Sequence, residues 1–116
     1  MWIMVSGPYR AGAATEAERE ANLTAMNLAA YEVLQRGHVP VIGVNMALPI
    51  IRTKGPESFD AIMMRVSLAL VDRCDACLRI GGPSNGADQE VARFREQGKP
   101  VYQRVDEVPV ASASKG

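Results

Sequence analysis

Metal- and redox-capable side chains are scarce in this sequence, which has one histidine and two cysteines in 116 residues. A zinc site on the cysteine pair would need two more ligands, and the chain offers one histidine and no other cysteine. Cys74 and Cys77 form a C-x-x-C, but the pair falls where a helix is predicted to end and a strand to begin. Thiol–disulfide chemistry at that spacing wants its first cysteine at a helix N-terminus, where the dipole favours the thiolate. The opposite polarity here points to two buried structural thiols. Excess charge is also missing. Thirteen Lys and Arg balance thirteen Asp and Glu with no basic run, which argues against a nucleic-acid polymer as partner. No apolar run reaches membrane-spanning length, and the opening residues read as a strand rather than a signal peptide, so a cytoplasmic protein with no membrane partner is expected. Neither G-x-G-x-x-G nor a Walker sequence occurs, which weakens ordinary dinucleotide and P-loop readings. No cofactor and no metal is expected.

What is present is an ordinary globular composition, 47% hydrophobic and 22% charged, at a length that suits one domain. Residues 1–106 read as that domain and 107–116, rich in small residues, as a frayed tail. Residues 2–6 form a short apolar run ending at Gly7, a buried strand. Thr15 with Glu18 fits a capping box, opening a helix to about Arg36 whose inward stripe is Leu23, Met26, Ala30, Val33 and Leu34. Residues 38–44 predict a second strand, and Pro40 within it argues for a sheet edge. Pro49, Gly55 and Pro56 punctuate 45–56, which reads as a loop. A helix over about 57–73 is apolar on nearly every face between Ile62 and Val71, so a subunit contact there, in a homodimer or homotetramer, is expected. Residues 75–80, 85–97 and 100–104 complete the alternation as strand, helix and strand. His38 reads as a strand-start residue and Asp75 as a structural acceptor.

Strands alternating with helices predict a three-layer α/β/α sandwich, flavodoxin- or Rossmann-like. Its parallel sheet has four to five strands in the order 2-1-3-4. In that order strands one and three are neighbours at the switch point, outside whose carboxyl ends ligands bind. Two glycine-rich turns meet there: Gly7 to Gly12, and Gly81 to Gly86. Glu90 follows the second turn. It lies three residues after Ala87 and four before Phe94, so on a helix it shares their inward face. A carboxylate on that face is costly unless something charged or reactive meets it. A capping-box role would need Ser or Thr at position 87, which is Ala. Arg10 offers a forked cation, and Ser84, Asn85 and Gly86 offer a hydroxyl and backbone N–H groups at a helix start, all suited to a phosphate. Tyr9 is placed to stack on a base or close the pocket, and topology sets Asn45, with Met46, on the base side. A carboxylate beside a bound sugar phosphate can attack or stabilise the anomeric carbon as an N-glycosidic bond breaks.

Val5-Ser6-Gly7-Pro8-Tyr9-Arg10, Asn22, Gly37-His38-Val39-Pro40, Cys74-Asp75, Gly82-Pro83-Ser84-Asn85-Gly86 with Glu90, and Gly98-Lys99-Pro100-Val101 together resemble the nucleoside 2-deoxyribosyltransferase superfamily. The likeness is strongest to small uncharacterised members and to the 2'-deoxynucleoside 5'-monophosphate N-hydrolases, and it runs from the first predicted strand to the fourth. The resemblance implies that Glu90 is the nucleophile and that Arg10 holds phosphate. It also implies, through Ser84 in place of the aspartate of the free-nucleoside transferases, a phosphorylated substrate. The implied activity is hydrolysis of a (deoxy)nucleoside 5'-monophosphate; the alternatives are a non-catalytic nucleotide-binding module and a deoxyribosyltransferase. Ser67 stands where the family commonly has a sugar-contacting aspartate, and Met4 where characterised members have a tyrosine. Asp60, Asp72 and Asp88 are the candidate substitutes for that aspartate.

Overall fold

A computed structural model describes residues 1–111. Four parallel strands form one sheet in the order β2-β1-β3-β4: β1 (Trp2–Ser6), β2 (Val39–Val41), β3 (Ala76–Arg79) and β4 (Val101–Tyr102). The helices are α1 (Glu16–Gln35), α2 (Gly43–Lys54), α3 (Phe59–Arg73) and α4 (Asn85–Glu96). Right-handed crossovers from β1 outward to β2, and then back across to β3 and β4, place α1 on one face and α3 with α4 on the other. The result is the three-layer α/β/α architecture that the alternation predicts. Pro40 sits on the edge strand β2, opposite Ile3, where its missing N–H breaks no ladder on the open side.

Alternation along β1 divides its side chains between the two layers. Ile3 and Val5 join Met26, Ala29, Ala30 and Val33 of α1, with Ala76 and Leu78 of β3. Met4 joins Cys77, Val71, Val91 and Phe94. Ser6, two residues beyond Met4, therefore points toward α4. Cys74 and Cys77 are both free and buried, as structural thiols should be. The capping box at Thr15 forms as read, with Glu18 N donating to Thr15 Oγ1 at 3.1 Å and Thr15 N to Glu18 Oε1 at 3.0 Å. Asp75 Oδ2 accepts from Trp2 N at 2.8 Å, tying the starts of β1 and β3.

Three expectations need correction. Residues 45–56 are mostly helix: α2 buries Val44, Ala47, Leu48 and Ile51, an i, i+3, i+4, i+7 stripe, despite Pro49 inside it. The proline removes one backbone bond, and burial of the stripe outweighs that loss. Leu34 is 55% exposed, because the buried arc of α1 runs through Met26, Ala29, Ala30 and Val33 and ends before it. The 57–73 helix packs against α2 and α4 within the chain, with Ile62, Met64, Val66, Leu68 and Leu70 left partly exposed. Finally, the chain beyond Glu107 does not fray at once. Val108 is 1% exposed, its carbonyl accepts from Arg36 Nη1 at 2.9 Å, and Pro109 O meets His38 Nε2 at 2.6 Å. The remainder of the expected tail, 112–116, lies outside the described residues.

Candidate functional site

The two glycine turns are pressed together at the carboxyl ends of β1 and β3. A Cβ on Gly7 would stand 3.0 Å from Ile80 O, and one on Gly81, at φ +77°, would stand 2.7 Å from Pro8 Cδ. Only glycine allows so close an approach with that backbone. Asn22 of α1 holds the first turn from outside, its Nδ2 donating to Tyr9 O at 2.9 Å. Arg79, at the last position of β3, holds the second turn: it donates to the carbonyls of Ile80 and Gly82 and pairs with Asp88 at 3.5 Å. Sequence reading passed over Arg79. The available signal was a guanidinium ending an apolar strand, 12% exposed once folded.

Beneath the turns lies a cavity of about 460 Å³, within the range of small-molecule sites. Gly7, Tyr9, Arg10, Ser84, Asn85, Gly86 and Glu90, seven of the eight residues expected at the site, line it. Ser84 caps α4, its Oγ accepting from Ala87 N at 3.2 Å, so the first turn of α4 opens on the cavity with its positive dipole end. The opposite wall is apolar: Val44 from the start of α2, and Phe59, Met63 and Met64 from α3. That wall was not anticipated, because α2 had been read as a loop and α3 as a subunit contact.

Arg10 does not wave free in solvent. Its guanidinium carbon lies 3.5 Å from the centre of the Phe59 ring, and Nη2 meets Asp60 Oδ1 at 2.9 Å. Tyr9 is 7% exposed and stacks parallel to Phe59 with ring centres 6.2 Å apart, so it forms the wall rather than a free lid. Asp60 is the only one of the three candidate aspartates on the cavity. Asp72 is held well below the ordinary carboxylate range by Arg93, whose Nε and Nη2 each reach it at 2.9 Å, and by Gln97. Asp88 belongs to Arg79. Asn45 lies elsewhere. It is on the outer side of α2, where its Nδ2 donates to Asn27 Oδ1 at 2.9 Å, and it lines a separate cleft with Trp2, Pro40 and Met46.

Glu90 sits on the inward side of α4 between Ala87 and Phe94, half-buried, at the inner end of the cavity. Ser6 Oγ donates to its Oε1. Burial pushes the Glu90 carboxyl above its ordinary value, while the Ser6 and Ser67 hydroxyls and the Arg79 charge pull it back down. The carboxylate in turn adds to the burial that pushes the Cys77 thiol up to about 12. Among the described residues no three His, Cys, Asp or Glu side chains are grouped to hold a metal ion, and no helix is long and apolar enough to cross a membrane. The chain matches no family model and no curated protein.

Chemically, the arrangement joins a cation and a helix N-terminus at the mouth, an apolar wall, and one half-buried carboxylate at the inner end.

Proposed function

We propose that this protein hydrolyses the N-glycosidic bond of a (deoxy)nucleoside 5'-monophosphate, with Glu90 as nucleophile. The observation that carries the reading is the half-buried Glu90 carboxylate at the end of a cavity whose mouth has Arg10 and the start of α4. The phosphate rests on the Asn85 and Gly86 N–H groups and on Arg10, which exchanges Asp60 for it. The base lies along Phe59, Met63 and Met64, and the sugar then falls over Glu90. A Glu90 oxygen attacks the anomeric carbon, the C–N bond breaks, and its electron pair leaves with the base, which takes a proton from water. Water then opens the glycosyl ester, releasing the sugar phosphate and restoring the carboxylate. The family resemblance supports the same roles for Glu90, Arg10 and Ser84. A homo-oligomer draws on the same resemblance and on the partly exposed apolar residues of α3.

A second reading, a nucleotide-binding module without turnover, draws on one feature. The side chains that hydrogen-bond or closely approach the Glu90 carboxylate are hydroxyls, and the other carboxylate on the cavity, Asp60, sits at its rim in an ion pair. Base release from a panel of ribo- and deoxyribonucleosides and their 5'-monophosphates separates the readings. The hydrolase predicts release from monophosphates only, abolished in Glu90→Ala. Nucleotide-dependent thermal stabilisation of both proteins without release would establish the binding module.

A further inference from the structure

Among the described residues, Ser67 Oγ is the one buried side-chain polar atom that makes no hydrogen bond. The residue is 1% exposed, in the middle of α3. An orphaned hydroxyl in such a place is destabilising, and a methyl of similar shape would pack as well or better. Packing therefore gives no reason for a serine here. Room has nevertheless been left for it. A Cβ on Gly43, at the first turn of α2, would stand 2.3 Å from Ser67 Oγ and 3.2 Å from Ser67 Cβ. The gap at Gly43 accommodates the oxygen.

The hydroxyl is close enough to the Glu90 carboxylate to favour its charged form, and Ser6 Oγ already donates to Glu90 Oε1 from β1. The other polar or ionisable groups facing Glu90 come from β3: Arg79, which favours the anion, and the neutral Cys77 thiol. Arg10 and Asp60 stand farther out on the same cavity, paired with each other.

We propose that Ser6 and Ser67 are positioning residues that clamp Glu90 between two hydroxyl donors, Ser67 turning its hydroxyl onto the carboxylate when the anion forms. The inference rests on the assignment of Glu90 as the reacting group and adds how a half-buried carboxylate is kept charged and aimed. The Ser67 hydroxyl has no other hydrogen-bond partner, so its proton is free for the carboxylate.

The test is a direct titration of the Glu90 side-chain carboxyl by carbon-detected NMR on glutamate-labelled protein, in wild type, Ser6→Ala and Ser67→Ala. Each substitution removes a donor that favours the anion, so each should raise the Glu90 titration by about one unit, a tenfold change in ionisation. Below the Glu90 titration, where the carboxyl is protonated and the Ser67 hydroxyl is orphaned, Ser67→Ala should also melt at or above the wild-type temperature. A Glu90 titration unmoved in Ser67→Ala would overturn the clamp and leave Ser67 as filler beside Gly43. The readout does not need turnover. A shifted titration in a protein that releases no base would sustain the clamp and sink the hydrolase. Base release with an unshifted titration would do the reverse.

Discussion

Replacing Gly81 by alanine tests the close meeting of the two turns on which the site is built. Gly81 has φ +77°, and its added Cβ would lie 2.7 Å from Cδ and 3.1 Å from Cγ of Pro8. The left-handed backbone costs an L-residue roughly 1–2 kcal/mol. Driving a methyl against a ring held by its own backbone adds about 1–3 kcal/mol. The reduced freedom of the unfolded chain returns about 0.4–1 kcal/mol. The net expectation is a loss of about 3 kcal/mol, which for a domain of this size lowers Tm by roughly 10–18 °C. Gly82 is the internal control: it has nothing within 4 Å of an added Cβ and no positive φ, so Gly82→Ala should leave stability within about 0.5 kcal/mol of wild type or raise it slightly. Adding Pro8→Ala to Gly81→Ala should relieve the clash and leave only the backbone strain. Thermal and urea unfolding followed by circular dichroism measure all four proteins. Equal stability of the Gly81 and Gly82 variants would refute the reasoning, because it would mean that the turns do not meet as described.

Glu90 gives a pH-dependent expectation. Burial raises its folded-state pKa above the unfolded value near 4.5, so the folded protein binds more protons between those two values and stability falls as pH rises through the folded pKa. Glu90→Gln should therefore melt higher than wild type at neutral pH, with the difference vanishing below about pH 4; an equal difference at pH 4 and pH 7 would contradict this. Arg10→Ala should weaken binding of a nucleoside monophosphate about 10- to 100-fold by calorimetry and leave an unphosphorylated nucleoside unaffected. Burial pushes the thiols of Cys74 up to about 11 and of Cys77 up to about 12, so neither should be alkylated by iodoacetamide at pH 8 unless denaturant is present, as intact-mass measurement will show.

The sheet order was legible because each strand ends in a glycine turn or begins at a helix stop, and because Pro40 marks an edge. Glu90 was legible for a different reason: a carboxylate on the apolar side of a helix is a local contradiction, and such contradictions gather at functional sites. The same logic failed at α2. Its stripe Val44, Ala47, Leu48, Ile51 has helical spacing, but Pro49, Gly55 and Pro56 weigh toward a loop in any local reading. Only burial in the core beside α3 decides the matter, and burial is not a local property. One further misplacement followed from that one. With no α2, Asn45 had a topological claim on the base side, whereas the helix turns it outward to Asn27. Arg79 was passed over because its work, holding the carbonyls of Ile80 and Gly82, is done on a loop whose path no spacing rule reveals. Val108 was lost in a run of small residues and proline, although Arg36 and His38 meet the carbonyls of Val108 and Pro109.

The most direct measurement is a search for the covalent intermediate. Wild-type protein would be mixed with a deoxynucleoside 5'-monophosphate, quenched in acid within the first turnover, digested, and the peptide spanning 85–93 weighed. A sugar-phosphate ester on Glu90, formed as base is released and absent from the Glu90→Gln protein, is the predicted result. Base release that proceeds at the same rate in Glu90→Gln, with no adduct on that peptide, would contradict the assignment of Glu90 as the nucleophile.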